Sequence, residues 1–316
     1  MIRNCIAQLL FALALPFAAA QDIPGVKTTL IAEPAMVSGG QDVTLKLLVD
    51  VEQNAEVPGD LLTGITLDVT QDDQPGAKVR EAGSGAKVAL AAGTHIERTI
   101  KLPSSKIITG GSPNKMVQLA IQWPGLTGAG CVVKVAPDLS KINVDDLDLS
   151  KTKVVLVTNF GDMTLAFYPQ KAPETVKNFV KLAKDGFYDG TKFHRVIRNF
   201  MIQGGDPLTK DDSKEAMWGT GDPGYKIKGE VNDTKHVRGV ISMANSGSPD
   251  TAGSQFFICH VDTPHLNSGY TAFGALESGL DTLDKIANVP VGGPQRSTPM
   301  QKVVIKQAVV LPAFKQ

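Results

Sequence analysis

Apolar and polar residues alternate in short runs over the first part of the chain, and no stretch there sustains a helical period. Residues 26–31, 43–49, 65–69, 96–100, 116–123 and 131–135 are such runs, separated by Gly, Pro and Asp. A period of two is that of a strand with one buried face. Ser38-Gly39-Gly40-Gln41 supplies a turn directly before the second run. Together they predict an immunoglobulin-like β-sandwich over residues 21–137. Trp123 is a core candidate whose strand is ended by Pro124-Gly125.

Residues 138–151 are polar, acidic and without clear period, and predict a solvated linker. Asp145, Asp146 and Asp148 within it lack the Gly and the following Glu of a calcium loop. From residue 152 to residue 316 the pattern changes. Residues 154–159 and 163–168 read as a hairpin turning at Gly161-Asp162. Pro173 then opens a helix with Val176, Phe179, Val180 and Ala183 on one face and a stop at Gly186. Strand-like segments return at 193–203, 240–243 and 256–258. A second helix over 280–287 places Leu280, Leu283, Ile286 and Ala287 on one side. Many strands with two helices predict a closed barrel with helical caps, so the whole chain is expected to be mainly β.

Composition narrows the function. The chain has 316 residues, enough for two cores, and formal net charge zero. Residues 21–140 carry 10 basic and 13 acidic side chains, and residues 151–316 carry 20 and 16. Neither balance suits a nucleic-acid binder. Residues 1–20 combine Arg3, an apolar stretch too short to span a bilayer, and Ala18-Ala19-Ala20, which reads as a signal peptide cleaved before Gln21. Cys5 precedes the apolar stretch, where a lipid-anchoring cysteine would follow it. No later segment is long and apolar enough to cross a membrane. The expectation is an exported protein, periplasmic or extracellular. Cys131 and Cys259 then remain, too few for a disulfide framework; an interdomain bridge is the alternative to the expected two buried thiols.

Chemistry concentrates in the second half. His95 stands alone in the first half, with no metal-ligand spacing around it. Gly219-Thr220-Gly221-Asp222-Pro223-Gly224 fits a dinucleotide fingerprint letter for letter, but such a site needs a strand before it and a helix starting within it, and the alternating Tyr225-Lys226-Ile227-Lys228 that follows reads as strand or loop. The glycines are expected to shape a surface loop instead. The stretch from Phe193 to Asp206 sets Arg195 and Gln203 among Phe200 and Met201. If these four share a face they form an apolar floor flanked by two donors, fit for a small ring bearing an amide. On spacing alone a solvated strand edge is an equal reading.

Three further segments decide between them: Gly186-Phe187-Tyr188-Asp189-Gly190, Ile241-Ser242-Met243-Ala244-Asn245, and Gly253-Ser254-Gln255-Phe256-Phe257-Ile258-Cys259. With the 193–206 stretch and Phe273-Gly274, residues 152–312 resemble the cyclophilin-type peptidyl-prolyl cis-trans isomerases. The resemblance implies an eight-stranded antiparallel barrel with two capping helices and a groove on one face. It implies a catalytic role for Arg195, a proline pocket of Phe200, Met201 and Phe257, and a backbone-holding groove of Gln203, Ala244, Asn245 and Gln255. His194 sits beside the arginine as the family's histidine does, and Leu266 matches a further pocket residue. Tyr270 stands where many members have His. His265 stands where the best-known members have a Trp that supports cyclosporin binding, which implies weakened inhibitor binding with isomerase activity kept. A metal role for His260 with His265 lacks a third ligand.

These residue types suit the reaction. The Xaa-Pro amide resists rotation by about 18–20 kcal/mol because of resonance, and the twisted bond returns a lone pair to the prolyl nitrogen. A donor aimed at that nitrogen favours the twisted state over either planar state. Arginine is always charged and only donates, so no cofactor or metal is required. The expected partners are proline-containing peptides and unfolded exported proteins. The alternative is a module that captures proline segments with incidental turnover. A protein partner for residues 21–137 is compatible with both.

Overall fold

The computed structural model describes residues 23–109 and 116–315. The expected signal peptide therefore lies outside the described residues. Buried apolar side chains gather into two main clusters, one drawn from the first part of the chain and one from residues 139 onward.

The first cluster lies within a sandwich. One sheet holds Val26–Ala32, Asp42–Val51 and His95–Pro103 in that order. The facing sheet runs Met36–Val37, Gly130–Val135, Val117–Gln122, Ile65–Gln71 and Gln74–Glu81. The opening strand leaves the first sheet and its continuation pairs in parallel with Gly130–Val135 of the second. This arrangement is immunoglobulin-like. Val43, Leu45, Leu47, Val49 and Val51 are buried at alternate positions of one strand, as a one-sided sheet requires. Trp123 is buried just past the end of its strand.

The second cluster fills an eight-stranded antiparallel sheet in the order Arg195–Ile197, Met201–Gly204, Phe256–Cys259, Val240–Met243, Ala272–Ser278, Gly161–Phe167, Lys153–Thr158 and Ile305–Leu311. The sheet curls until its ends meet. Lys192 and Val304 form an antiparallel bridge across the seam, flanked by Phe193 N–H to Val303 O at 2.9 Å and Ile305 N–H to Thr191 O at 2.8 Å. The first hairpin turns at Asn159-Phe160, two residues before the expected place, because Thr158 pairs with Gly161.

Helix Pro173–Lys184 closes one mouth and buries Val176, Phe179, Val180 and Ala183. Its N-terminal donors at Glu174 and Thr175 are capped by the Glu230 carboxylate at 3.1 and 2.8 Å. Phe179 meets Tyr188, Phe256 and Phe273 with ring centroids 4.9, 5.4 and 5.2 Å away. Helix Leu280–Ala287 buries Leu283, Ile286 and Ala287, while Leu280, expected on the same side, is exposed.

Residues 138–151 depart from the linker expectation. Leu139, Val144 and Leu147 are buried in the barrel's own core, and Leu147 forms a β-bridge with Phe314. The segment is therefore part of the barrel's packing, whatever its polar composition.

The sandwich rests on the barrel's outer wall. Alternate residues Val154 and Leu156 point into the barrel, and Val155 and Val157 point outward to pack with Val309 and Ala136, flanked by Met36 and Leu311. Beside this stripe the Glu33 carboxylate pairs with Lys46 at 3.0 Å and with Lys306 of the barrel at 2.7 Å. Gln41 Nε2 donates to Asp189 Oδ2 at 3.4 Å. Cys131 and Cys259 are both free thiols; Cys259 is buried as expected, whereas Cys131 is only half-buried, and desolvation pushes the two pKa values up to about 12 for Cys131 and about 11 for Cys259.

Candidate functional site

The register of three short strands sets the site. Arg195 pairs with Gln203, Gln203 with Phe257, and Phe257 with Ser242, so these residues form one cross-strand row. The neighbouring row Val196, Ile202, Ile258 and Ile241 faces the barrel core. Strand alternation thus turns Arg195, Gln203 and Phe257 to the outer face. The next outward row brings Ile197, Met201 and Cys259 together. A small apolar cluster forms there, separate from the core: Met201, Phe257, Cys259 and Leu266, with Ile197, Phe200, Ala244 and Tyr270 against it.

A cavity of about 110 Å³ opens in this cluster, lined by Arg195, Phe200, Met201, Gln203, Ala244, Asn245, Phe257, Leu266 and Tyr270. It lies below the roughly 300 Å³ of a drug-sized pocket and suits one ring. Tyr270 meets Phe257 edge-on at 5.4 Å, and His236 stacks on Phe257 at 6.0 Å. A larger polar hollow of about 280 Å³ adjoins it, sharing Gln203, Ala244 and Asn245 and including Gln255. Arg195 Nη1 donates to Gln203 Oε1 at 3.2 Å, and Gln203 Nε2 donates to Gln255 Oε1 at 3.1 Å. Asn245 Nδ2 donates to Gly269 O at 3.2 Å, and its Oδ1 accepts from Gly247 N–H at 3.1 Å. One half-buried guanidinium thus borders an apolar ring-sized cleft, with amides along the adjoining groove.

Two expected site residues lie elsewhere. His194 is buried beneath the 219 loop, outside both hollows. Adjacent residues of an extended chain point to opposite sides, so His194 does not share the face of Arg195. His265 is exposed and does not line the cavity, but stacks on Phe200 with centroids 5.4 Å apart.

The sequence reading assigned no role in the site to His236, Ser242 or Asp206. His236 is buried, with its Nε2 3.0 Å from Ser242 Oγ and its Nδ1 3.2 Å from Asn267 Oδ1. It belongs to no strand, so periodicity gave no sign of it. The glycine decoy is indeed a loop, wrapped on the buried Asp206 carboxylate.

The chain's second half carries the matching family signature. The model for cyclophilin type peptidyl-prolyl cis-trans isomerases matches residues 153–310, half of the chain. The chain belongs to that family. Among its relatives, a peptidyl-prolyl cis-trans isomerase of Helicobacter pylori is 49% identical over 148 residues, covering 45% of this chain and 85% of the relative. A peptidyl-prolyl cis-trans isomerase-like 2 protein of Cryptococcus neoformans is 47% identical over 163 residues, 51% of this chain and 28% of that protein. The match thus spans little more than a quarter of that longer relative. A solved cyclophilin type isomerase of Cryptosporidium parvum, crystallised in the presence of the dipeptide Ala-Pro, is 34% identical, covers 52% of this chain and 99% of its own, and superposes with a TM-score of 0.44.

Burial also gives this cyclophilin a pH dependence. It lowers both His194 and His236 below the ordinary value of 6.5; Asp206 opposes the shift at His194, and the Asn267 hydrogen bond opposes it at His236. The unfolded chain therefore takes up these protons first as pH falls. The stability that the neutral rings contribute is full above about 6.5 and is lost as pH falls through the lowered folded values. Urea midpoints are expected to drop between about pH 7.5 and 5.5, with a shallower slope when both histidines are replaced by Asn. An equal slope in that double variant would assign the effect elsewhere.

Proposed function

We propose that the chain is a peptidyl-prolyl cis-trans isomerase that acts on Xaa-Pro bonds of exported proteins. The observation that carries this is the Arg195 guanidinium beside a ring-sized apolar cavity bounded by Phe200, Met201, Phe257 and Leu266. A prolyl ring seated there places its nitrogen within the reach of a donor that never gives up its charge. As the amide twists, that nitrogen regains its lone pair, and the guanidinium hydrogen-bonds to it more strongly than to either planar form. Gln203, Asn245 and Gln255 hold the flanking backbone, so one side of the bond turns against a fixed partner.

The test is turnover of a simple Xaa-Pro peptide in a protease-coupled assay. Rates above the uncatalysed background support the enzyme. Saturable peptide binding without turnover would instead make the chain a capture module for proline segments. Export rests on the signal-like residues 1–20 and is tested by fractionating cells that express the full chain. Recovery with the cytoplasmic fraction would remove exported proteins as clients. With His265 in place of the inhibitor-supporting Trp, cyclosporin is expected to inhibit weakly.

A further inference from the structure

Asp206 lies fully buried just past strand Met201–Gly204, reached through Gly205, whose φ is +84° and whose added Cβ would meet Ser254 O at 2.5 Å. Its carboxylate accepts from Leu208 N–H at 2.7 Å, as a turn cap does. It also accepts from Gly219 N–H and, at 3.2 Å, from Gly221 N–H. A cap has no need of these two, which lie in a separate loop. The approach is so close that a Cβ at Gly221 would stand 2.1 Å from Asp206 Oδ1. The same two glycines present their carbonyls to the other side, where Gln255 Nε2 donates to Gly219 O at 2.9 Å and to Gly221 O at 2.8 Å.

Hydrogen-bond polarity then runs one way. Both hydrogens of the Gln255 amide are engaged, so a flipped amide would set its oxygen against two carbonyl oxygens. Gln255 Oε1 must face Gln203 Nε2, which leaves Gln203 Oε1 to face Arg195. Arginine cannot accept, so an amide nitrogen in that place would repel it. We propose that Asp206 is a positioning residue: by clamping the 219–221 loop it fixes the amide polarity of Gln255 and Gln203 and so aims Arg195. This rests on the isomerase reading above.

The test is a double-mutant cycle on the full chain. Asp206→Asn keeps the size but leaves a single oxygen for the three N–H donors, so an NH2 group must face either Leu208 N–H or the two loop N–H groups. It is expected to lower kcat/KM about tenfold or more through misplacement of the donor. In an Arg195→Ala background it should cost less than about twofold, because its effect passes through Arg195. Equal losses in both backgrounds, or no loss in either, would overturn the proposal. If Asp206→Asn does not fold, Gly221→Ala displaces the carboxylate from the loop side and should show the same non-additivity. The Arg195 side-chain N–H resonances supply a readout that needs no turnover. They are expected to shift or broaden in Asp206→Asn, and unchanged resonances refute the relay. A silent wild type in the peptide assay would fail the isomerase reading alone, with the relay still decided by those resonances.

Discussion

Arg195→Ala is expected to lower the isomerisation rate at least tenfold while leaving the fold intact. The fold should survive because Arg195 is half-buried on the outer face of a short edge strand and contributes nothing to the barrel core. The rate should fall because, among the described residues, no other guanidinium or ammonium lines the cavity. One charged hydrogen bond contributes about 1.5–3 kcal/mol, and tenfold in rate corresponds to about 1.4 kcal/mol, so an ordinary bond explains one or two decades. A larger loss would mean that the apolar walls of Phe200, Met201 and Phe257 strengthen the bond by excluding water. Arg195→Lys should recover little, since a single ammonium cannot both keep the hydrogen bond to Gln203 Oε1 and reach the ring nitrogen. Circular dichroism checks the fold, and rates within twofold of wild type would remove Arg195 from the mechanism.

The second large effect is on stability. Leu147→Ala is expected to cost about 2–5 kcal/mol, the range for removing a fully buried leucine side chain. Leu147 is 1% exposed, packs within the barrel core and bridges to Phe314. In a solvated linker the same change would stay within about 0.5 kcal/mol. Asp146→Ala, one residue earlier with an exposed side chain, serves as the control. Urea titration of both variants decides the matter: matched midpoints would return the segment to the linker reading.

The reason that segment was illegible in the sequence is physical. Its buried residues fall at 139, 144 and 147, spaced by a single 3-10 turn at Val144–Asp146, and that spacing matches neither two nor 3.6. The six sandwich strands with clear alternation were readable, whereas Gln74–Glu81 was not. That strand lies at a sheet edge and buries only Val79, so nothing alternates. Both barrel helices were readable because their apolar faces are sustained over two or more turns. In the site, the cavity lining was legible through the family resemblance, since residues as far apart as Arg195 and Tyr270 meet only through strand register. The resemblance sets His194 beside Arg195 in sequence, but strand alternation turns neighbouring residues to opposite sides, so it lines neither hollow. The role of Asp206 has no sequence signature, because its partners at 219 and 221 lie 13 and 15 residues away and meet it only once the loop is folded.

The strand Ile305–Leu311 pairs with Lys153–Thr158, abuts the seam bridge at Val304, and carries Lys306 and Val309 toward the sandwich. On a ribosome this strand emerges long after the surfaces that await it. The sandwich, complete in sequence by residue 135, can collapse early on its own apolar cluster. The barrel has no such freedom: its first strand lacks one neighbour until residues 305–311 have been made. Closing the barrel and seating it against the sandwich are thus one late event in the life of the nascent chain, and premature termination before residue 305 forfeits both.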